Sequence, residues 1–376
     1  MNIGSQMENT LIALSGGVDS AVSAAILKQS GTPVEAVYVR TWEHEDDLLG
    51  DCPGAKDLAD AQKVCEQLKI PFRVVNFVDF YQREVVDPMI DGYANGITPN
   101  PDILCNRRMK FGTLLEYAQN EGFDALATGH YCIRKVGSNG LAELWEGRDK
   151  NKDQSYFLAR LSVEQLQFAR FPLGESVKPD VRKMAFELGL SVAEKKDSQG
   201  ICFLGKVKVP EFLSHYIKDA PGEIVNTEGK VVGKHLGLHR YTIGQRRGIG
   251  VPSNTDHENY VVTGKDQVEN QLIVAFDRRD ESTLWASVFN LQDVTFLDRS
   301  YENFKNLKLL GKARYRDPST PIQLNRQDTK KTYTVTFSDP QRALTPGQVL
   351  AIYDGERLVG SGIYAHSSMG RACLSA

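Results

Sequence analysis

Near its N-terminus the chain reads Leu11-Ile12-Ala13-Leu14-Ser15-Gly16-Gly17-Val18-Asp19-Ser20. An apolar run ends here in a glycine-rich turn, and an apolar-rich segment then extends to Gln29. The pattern predicts a strand, a tight turn and the N-terminus of a helix. Gly16 and Gly17 can adopt backbone angles that other residues avoid, so consecutive N–H groups can converge on one anion. The helix dipole adds about half a positive charge at that end, and we therefore predict a phosphate-binding loop.

Three side chains of this loop are suited to a bound phosphate. Ser15 and Ser20 supply hydroxyl donors, and Asp19 either holds a magnesium ion or caps the helix. The loop is not the kinase-type P-loop, because no Gly-Lys-Ser or Gly-Lys-Thr occurs anywhere in the chain. The lysine that such a loop uses to reach the β- and γ-phosphates is therefore missing from it.

Length and composition are those of an ordinary globular protein. The chain has 376 residues, of which 41% are hydrophobic and 25% charged, as expected for two or three domains. No apolar run is long enough to span a bilayer, and residues 1–10 resemble neither a secretory signal nor a transit peptide. We therefore expect a cytoplasmic protein without a membrane partner. The net charge of −3 argues against a general nucleic-acid binder, but residues 151–250 carry 16 Lys and Arg against 11 Asp and Glu, a possible local footprint for a polyanion.

The cysteines do not predict a metal-binding or disulfide framework. No two of them are spaced as Cys-x-x-Cys, so a zinc knuckle is not expected and we predict no protein-bound metal site. In a reducing cytoplasm any disulfide should be transient and catalytic. The six are Cys52, Cys65, Cys105, Cys132, Cys202 and Cys373.

Two of these cysteines lie in contexts that favour chemistry. Cys105 follows Asp102 in residues 97–106, where two prolines and two asparagines predict a rigid, non-helical loop. Cys202 closes the segment Asp197-Ser198-Gln199-Gly200-Ile201-Cys202 and has four lysines nearby in sequence. Cationic neighbours lower the pKa of a thiol and favour the thiolate. A small buried side chain is the alternative interpretation of each cysteine.

The first 130 residues alternate strand and helix patterns, which predicts a doubly wound parallel sheet with helices on both faces. Ligands bind such sheets at the carboxyl ends of the strands. The glycine-rich turn lies at one such end, and Gly129-His130-Tyr131 lies at another. The predicted strands are 10–14, 34–39, 72–76 and 125–128, and the predicted helices are 20–29, 55–68, 81–93 and 110–119.

The remaining patterns predict two further domains. Residues 145–175 have the composition of a linker region, 178–190 and 209–217 are typical of helices, and 223–235 contains a hairpin signal. From about residue 260 the pattern is all-β, with short strands at the spacing of a small barrel. We therefore predict a nucleotide-binding α/β domain over residues 1–165, a small central α+β domain over 166–255 and a C-terminal β-barrel domain over 256–376.

Six further motifs occur in order behind the glycine-rich turn. They are Asn100-Pro101-Asp102-Ile103-Leu104-Cys105-Asn106, Ala127-Thr128-Gly129-His130-Tyr131, Asn151-Lys152-Asp153-Gln154-Ser155-Tyr156-Phe157, Gly200-Ile201-Cys202-Phe203, Gly244-Gln245-Arg246-Arg247-Gly248 and Thr345-Pro346-Gly347-Gln348. The loop Ser15–Ser20 itself resembles the pyrophosphate-binding loop of the ATP pyrophosphatase superfamily. Together the motifs closely resemble the bacterial tRNA-specific 2-thiouridylase family over essentially the whole chain. The resemblance implies an adenine nucleotide α hydrolase-like N-terminal domain, a central tRNA-binding domain and a C-terminal β-barrel.

The reaction that this resemblance implies is sulfur transfer to tRNA. ATP, together with Mg2+, adenylates the 2-carbonyl oxygen of the wobble uridine in the anticodon. A persulfide sulfur then replaces the adenylate and leaves 2-thiouridine, AMP and pyrophosphate. The implied partners are tRNAs that accept Lys, Glu and Gln and a protein that relays persulfide sulfur, and the chain is expected to be a monomer.

The resemblance also implies roles for individual residues. Cys202 would hold the persulfide, and Cys105 would attack it, which releases sulfur and forms a transient Cys105–Cys202 disulfide. Asp102 would act as general acid or base beside the uracil. The implied ATP site comprises Ala13, Leu14, Ser15, Gly16, Gly17, Val18, Asp19, Ser20, Val39 and Gly129. Asn100, Pro101 and Asp102 would contact the target base, and the further implied tRNA contacts are His130, Lys152, Asp153, Gln154, Arg314, Tyr315 and Gln348.

Two positions depart from the family pattern. Val39 stands where the family usually has a methionine in the adenine pocket, and Ala13-Leu14 stands where glycine and a small residue or methionine are common. Neither difference changes the expected reaction. Two other functions stay open: a small-metabolite synthetase of the amidotransferase type, which would not need Cys105 and Cys202, and a tRNA-binding module without catalysis.

Overall fold

The computed structural model describes residues 8–42, 53–197, 208–252, 258–327 and 332–365. The chain divides into two compact units, which are Met1–Val85 with Pro101–Lys206 and Glu356–Val359, and Val86–Asn100 with Val207–Gly355 and Gly360–Ala376. Among the described residues, no helix combines the length and the apolar character needed to cross a membrane.

Within the described residues the α-helices are α1 (Val18–Gln29), α2 (Pro53–Leu68), α3 (Val78–Tyr81), α4 (Asp87–Ala94), α5 (Pro101–Leu104), α6 (Leu114–Asn120), α7 (Val163–Phe168), α8 (Lys178–Glu187) and α9 (Val209–Leu213). The strands are β1 (Thr10–Ala13), β2 (Val34–Arg40), β3 (Phe72–Asn76), β4 (Ala125–Ala127), β5 (Cys132–Val136), β6 (Ala142–Glu146), β7 (Ala169–Arg170), β8 (Gly222–Asn226), β9 (Val231–His235), β10 (Tyr260–Asp266), β11 (Gln271–Phe276), β12 (Trp285–Phe296), β13 (Asn306–Lys312), β14 (Thr320–Gln327), β15 (Thr332–Arg342), β16 (Val349–Asp354) and β17 (Arg357–Tyr364). Gln82–Val86 and Cys105–Thr113 are π-helical, and Ser155–Leu158, Leu238–Arg240 and Arg299–Asn303 are 3-10 helices.

The first unit is built on a five-stranded sheet with the order β3-β2-β1-β4-β7. All of its pairings are parallel. The chain steps outward from β1 to β3 and then crosses back to β4, so right-handed connections place the intervening helices on opposite faces. Leu11 and Ile12, consecutive residues of β1, are both fully buried, as a central parallel strand requires. The predicted doubly wound sheet is therefore confirmed, and its direction switches between β1 and β4, the place where such sheets bind ligands.

The core on one side of this sheet is formed by α1, α2 and α8. Its buried members include Val22 of α1, Val64 of α2 and Val181 of α8, each 1% exposed or less. Small residues fill α1, because Ala21, Ser23, Ala24 and Ala25 are all buried. Small side chains allow this helix to lie close to the strands on either side of the glycine-rich turn.

The predicted linker at residues 145–175 is wrong. This stretch contains the end of β6, the 3-10 helix Ser155–Leu158, α7 and β7, and β7 extends the parallel sheet by pairing Ala169 with Leu126 of β4. Tyr156 and Leu166 are 1% and 0% exposed. The polar run at residues 150–154 suggests a solvated connection, but hydrogen bonds within the unit satisfy it, as the candidate site shows.

The second unit contains a four-stranded sheet and a barrel. The sheet has the order β10-β11-β8-β9, and its β8–β9 hairpin confirms the one predicted at 223–235. The barrel has the order β12-β15-β14-β13-β16-β17, and β12 pairs with β17 to close it. In β15 the side chains of Tyr333, Val335 and Phe337 are buried while their neighbours are partly exposed, which is the alternation that predicted this strand. The predicted C-terminal β-barrel is therefore confirmed.

Candidate active site

The turn between β1 and α1 has a backbone suited to an anion. Gly16 has a φ of +70°, a left-handed conformation that glycine adopts without steric cost. A Cβ atom at Gly16 would lie 2.3 Å from the carbonyl oxygen of Asp57 in α2. Gly17 is the N-cap of α1 and has no side chain to cover the first N–H groups of the helix. The loop therefore presents helix N–H groups to a ligand.

The two serines of the loop have different positions. Ser20 is buried, and its Oγ donates to the carbonyl oxygen of Gly17 at 3.1 Å and accepts from the N–H of Ser15 at 3.2 Å. Ser15 is exposed, and its own Oγ lies 3.2 Å from Ser20 Oγ. Ser20 thus braces the turn, whereas the hydroxyl of Ser15 is accessible to a ligand.

The residues assigned to ATP lie at the carboxyl ends of three adjacent strands. Ala13 ends β1, and Leu14 continues from it with its N–H bonded to Val37 of β2 at 2.9 Å. Val39 is half-buried near the end of β2. Gly129 follows β4, and a Cβ atom there would lie 2.9 Å from the backbone nitrogen of Ser20. This close approach requires glycine, and it brings the end of β4 against the start of α1.

Asp19 is engaged by two side chains from distant parts of the first unit. The hydroxyl of Tyr131 donates to Asp19 Oδ1 at 2.7 Å, and Lys178 Nζ donates to the same oxygen at 2.7 Å. Burial and the negative charge of Asp19 raise the pKa of Tyr131 far above its usual value, so the phenol stays a donor. Asp19 is therefore not a helix cap, since the N-terminus of α1 has no side-chain cap.

Lys178 also reaches a second carboxylate, Asp197. The Oδ1 atom of Asp197 lies 2.8 Å from Lys178 Nζ and 2.5 Å from Arg182 Nη2, and its Oδ2 accepts from Lys152 Nζ at 2.8 Å. Burial raises the pKa of Asp197, but the hydrogen bonds and charges of Lys152 and Lys178 outweigh it and hold that pKa well below its usual value. Asp19, Lys178, Asp197, Lys152 and Arg182 are called the Lys178 cluster below; three of its members are cations and two are carboxylates.

Lys195 is the second lysine attached to the loop. Its Nζ donates to the carbonyl oxygen of Gly16 at 2.9 Å, to Asp57 Oδ1 at 2.7 Å and to Asp60 Oδ2 at 2.6 Å. Burial lowers the pKa of Lys195, but the two carboxylates outweigh this and raise it overall. All three donors of this ammonium group are occupied, so it fixes the turn against α2.

Sequence reasoning places Tyr131 and Asp197 in motifs without giving them a role, counts Lys195 only among the lysines near Cys202, and misses Lys178 and Arg182. The partners of Asp19 lie 112 and 159 residues further along the chain. No local pattern could have paired them. The one usable signal is indirect: a loop that binds phosphate and contains no lysine needs a cation from elsewhere in the fold.

Asp102 and Cys105 lie on one continuous helical segment. Pro101 begins α5, which passes directly into the π-helix Cys105–Thr113. Residues three positions apart on a helix share a face, so Asp102 and Cys105 project from the same side. Cys105 is 3% exposed. The expected non-helical loop at 97–106 is therefore wrong from Pro101 onward, because proline is favoured at the first helical position, where its missing N–H costs nothing.

Two of the described cysteines are held as thiols. Burial raises the pKa of Cys65 to about 12 and raises that of Cys132 well above its usual value, so both stay protonated. Cys105 is the described cysteine beside an aspartate at helical spacing. Cys202, the predicted persulfide carrier, lies outside the described residues, and so does its predicted disulfide with Cys105.

Residues 345–348 hold the segment that leads to Asn100, and both belong to the second unit. The N–H of Thr98 donates to the carbonyl oxygen of Pro346 at 3.0 Å. The side-chain amide of Gln348 donates to the carbonyl oxygen of Thr98 at 2.8 Å and to that of Pro99 at 3.4 Å. A Cβ atom at Gly347 would lie 2.1 Å from the side chain of Ile97. Gln348, a predicted tRNA contact, thus bonds to the protein backbone here.

His130, another predicted tRNA contact, is 8% exposed. Its Nδ1 lies 2.7 Å from Thr128 Oγ1, and its ring contacts those of Phe111 and Phe171. Burial and the charge of Lys110 lower the pKa of His130 well below its usual value. The imidazole is therefore neutral at physiological pH and carries no charge to offer a phosphate.

Asp153 and Gln154 form hydrogen bonds within the first unit. Asp153 is 5% exposed and accepts from the backbone N–H groups of Gly147 and Ser155 at 3.0 and 3.1 Å. Gln154 Oε1 accepts from the N–H of Tyr131 at 3.0 Å. Gln154 therefore positions the tyrosine that contacts Asp19.

The predicted tRNA contacts Arg314 and Tyr315 both have partners within the second unit. Arg314 donates to the carbonyl oxygen of Arg342, and Tyr315 lies under the guanidinium of Arg316 at 5.4 Å. Arg246 of the Gly244–Gly248 motif forms an ion pair with Asp277. Within the described residues, no group of three or more His, Cys, Asp or Glu side chains is arranged to hold a metal ion.

Family models match three consecutive parts of the chain. A tRNA methyl transferase HUP domain matches residues 8–206, a tRNA methyl transferase PRC-barrel domain matches 210–276, and an aminomethyltransferase beta-barrel domain matches 287–364. The first and third agree with the parallel sheet and the closed barrel described above.

Curated relatives match nearly the whole chain. A protein of Akkermansia muciniphila is 44% identical over 358 residues, which are 95% of this chain and 99% of the relative. A protein of Lactiplantibacillus plantarum is 42% identical and covers 94% of each chain. A protein of Pseudomonas savastanoi pv. phaseolicola is 43% identical over 96% of this chain and 94% of its own. Each of the three is named a tRNA-specific 2-thiouridylase.

Proposed function

Because the chain belongs to the tRNA-specific 2-thiouridylase family, we propose that it is a sulfurtransferase that uses ATP to convert a uridine of tRNA to 2-thiouridine. Two observations support the proposal beyond the family name. The glycine-rich loop lies at the switch point of a doubly wound sheet, and Asp102 and Cys105 share one helical face. The loop therefore provides residues for binding ATP, and Asp102 and Cys105 provide residues for sulfur transfer.

The first step is adenylation of the base. The 2-carbonyl oxygen of uridine attacks the α-phosphorus, a new O–P bond forms, and the bond to the β-phosphate breaks so that pyrophosphate leaves with the electron pair. The helix N–H groups behind Gly17 and the hydroxyl of Ser15 are placed to bind the phosphates. Adenylation turns a poor leaving oxygen into a phosphate ester, which is a good leaving group.

Magnesium bound to the ATP phosphates would reduce their charge during this step. Asp19 is the carboxylate of the loop, and the contacts of Tyr131 and Lys178 both fall on its Oδ1 atom. The other carboxylate oxygen is then the protein ligand we propose for the ion. Mg2+ usually takes one or two carboxylates together with phosphates and water, so a single aspartate is compatible with its needs.

The second step is sulfur transfer. We propose that Cys202 carries the persulfide, that the Cys105 thiolate attacks its inner sulfur, and that the terminal sulfur leaves as the nucleophile that displaces AMP from the base. A Cys105–Cys202 disulfide remains and must be reduced by thiols before the next turnover. Asp102, on the same helical face as Cys105, serves as general acid or base beside the uracil.

The tRNA contacts are proposed on the family pattern. Asn100, Pro101 and Asp102 would meet the target base, and Lys152, Arg314 and Tyr315 are the polar side chains we assign to the tRNA itself. His130 and Asp153 are buried, and the side chains of Gln154 and Gln348 bond to the protein backbone. These four residues would act mainly by holding the surfaces that tRNA contacts.

Several finer assignments belong to the same proposal. The wobble uridine of tRNAs for Lys, Glu and Gln is the proposed target, and a persulfide relay protein is the proposed donor. We also propose a cytoplasmic monomer with domains at residues 1–165, 166–255 and 256–376. A thiolation assay with each purified tRNA tests the proposed targets, and gel filtration of the protein tests the proposed monomer.

One assay tests the function as a whole. Purified protein is incubated with ATP, Mg2+, a persulfide donor and unmodified tRNA, and the nucleosides are analysed by mass spectrometry. We expect 2-thiouridine with the wild type and none with Cys105→Ser or Cys202→Ser, whereas Cys65→Ala, a change at a protonated core thiol, retains activity. Two of the family models that match the chain are described as tRNA methyl transferase domains, so methylation is the alternative activity to test. Methylated uridine formed with S-adenosylmethionine, together with no thiolation, would refute the proposal.

A further inference from the structure

The missing P-loop lysine has a structural counterpart at the start of α8. Within the described residues, Lys178 and Lys195 are the lysines whose Nζ atoms hydrogen-bond to the Ser15–Ser20 loop. Lys195 has three acceptors and no donor left. Lys178 has two acceptors within the described residues, Asp19 and Asp197. A lysine ammonium group has three N–H donors, so one remains for a ligand.

We propose that Lys178 binds the pyrophosphate portion of ATP and stabilises the charge that develops on it as it leaves. This inference rests on the proposed function. It assigns to a residue far from the loop in sequence the task that the kinase-type P-loop gives to its own lysine. The electron pair of the broken P–O bond goes to the departing pyrophosphate, and a fixed ammonium group beside that oxygen lowers the barrier.

Contacts hold both the backbone and the side chain of Lys178 in place. Its backbone N–H donates to Asp149 Oδ2 at 2.9 Å, which holds the first residue of α8. Its side chain is only 11% exposed, and its Nζ lies 5.9 Å from the centre of the Tyr131 ring. A donor held in this way loses little conformational entropy when it binds phosphate.

The two carboxylates that contact Lys178 also have other hydrogen-bond donors. Asp197 keeps Lys152 and Arg182 as partners, and Asp19 keeps the hydroxyl of Tyr131. With Asp149 at the backbone N–H of Lys178, the three cations of the Lys178 cluster face three carboxylates, so the cluster offers a phosphate an unused N–H donor of Lys178 rather than an excess of positive charge. Such a donor, partly withdrawn from water next to a loop of helix N–H groups, forms a strong charge-assisted hydrogen bond with a phosphate.

The test measures binding of pyrophosphate, AMP and α,β-methylene-ATP by isothermal titration calorimetry, with no tRNA or sulfur donor present. We expect Lys178→Met to weaken pyrophosphate and α,β-methylene-ATP binding roughly 10- to 100-fold, the value of one charge-assisted hydrogen bond. AMP binding should change less than about twofold. Lys183→Met is the matched control, since Lys183 is an exposed lysine of the same helix paired with Glu187, and it should bind all three ligands as the wild type does.

A charge-balanced pair of variants separates phosphate binding from support of the fold. Asp197→Asn frees Lys178 from one carboxylate and should tighten pyrophosphate binding, whereas Lys178→Met combined with Asp197→Asn should weaken it. The double variant removes one charge of each sign, so it keeps the net charge even if Lys178→Met alone does not fold. Unchanged pyrophosphate binding in the double variant, or an equal loss of AMP and pyrophosphate, would overturn the inference. If the binding results are as expected but the wild-type protein forms no 2-thiouridine, the proposed function fails and the inference about pyrophosphate binding stands.

Discussion

Replacing Gly16 with alanine tests two reasons why the loop requires glycine at this position: its left-handed backbone conformation and its close approach to α2. The residue has a φ of +70°, and an added Cβ would lie 2.3 Å from the carbonyl oxygen of Asp57 and 2.8 Å from its Cα. Gly31 is a matched control in the same unit, because its φ is +78° and nothing lies within 4 Å of an added Cβ. Both substitutions pay the cost of a left-handed alanine, about 1–2 kcal/mol, so their difference isolates the close approach.

The difference should be roughly 1–3 kcal/mol, the cost of inserting a methyl group into packed structure. The neighbouring atoms belong to backbone and cannot turn away, so α2 must shift away from the loop. This shift would break hydrogen bonds of Lys195, because its Nζ bonds to both Gly16 and Asp57. We expect Gly16→Ala to weaken α,β-methylene-ATP binding at least tenfold and Gly31→Ala to leave it unchanged.

The measurement is hydrogen exchange resolved by peptide across a urea titration, together with calorimetric binding of the ATP analogue. Peptides from α1 and α2 report the stability of the elements that meet at Gly16. Equal destabilisation of these peptides by the two substitutions would refute the steric argument. Full ATP-analogue affinity in Gly16→Ala would refute the claim that the loop geometry serves phosphate.

Three further predictions concern other parts of the chain. Gln348→Ala should lower kcat for thiolation several-fold and leave the KM for tRNA nearly unchanged, because the amide bonds to Thr98 and Pro99. Gln341→Ala is the control, since Gln341 is also half-buried and its side-chain amide bonds to the carbonyl oxygen of nearby Asp339; a change confined to KM in Gln348→Ala would favour direct tRNA contact. Asp197→Asn should reduce stability at neutral pH, because the pKa of Asp197 in the folded state lies well below its unfolded value of 3.8 and the resulting stability is fully present only above that value. The gap between the denaturation midpoints of variant and wild type should therefore begin to narrow as the pH falls below about 4, and a constant gap would contradict the argument. Lys265→Met should stabilise the second unit at pH 7 by about 3 kcal/mol, because burial lowers the pKa of Lys265 from 10.5 to about 8. The gain in stability should be complete below pH 8, where the wild-type lysine is charged in both states, and should vanish above pH 10.5, where it is neutral in both. Urea titrations of variant and wild type over this pH range measure the gain, and equal stability at pH 7 would contradict the prediction.

The first unit could be predicted from sequence wherever the signal is local. Strands β1, β2, β3 and β4 begin where predicted and end within one residue of the prediction, since each is a short apolar run bounded by turn residues. The wrong predictions arise where one residue type is compatible with two different local structures. Pro101 suggests a broken helix but begins one, and the polar residues 150–154 suggest a linker although Asp153 is buried under backbone hydrogen bonds.

The candidate site was predictable only in its contiguous part. The loop Ser15–Ser20 is recognisable because its glycines and serines adjoin in sequence. The Lys178 cluster brings together residues from positions 19 to 197, and side chains of such long separation meet only because α1 and α8 pack on the same side of the sheet. Physical reasoning from sequence can state that a cation is needed, but the fold decides which one.

The closure of the barrel by β17 has a consequence for how the protein tolerates change at its C-terminal end. This strand pairs with β12 on one side and follows β16 on the other. Truncation that removes β17 (Arg357–Tyr364) would therefore unpair two strands at once and leave two open edges. Open edges accept strands from other molecules and template aggregation. Fusion partners and affinity tags belong beyond Tyr364, and a shortened chain should precipitate even though every residue assigned to the chemistry is still present.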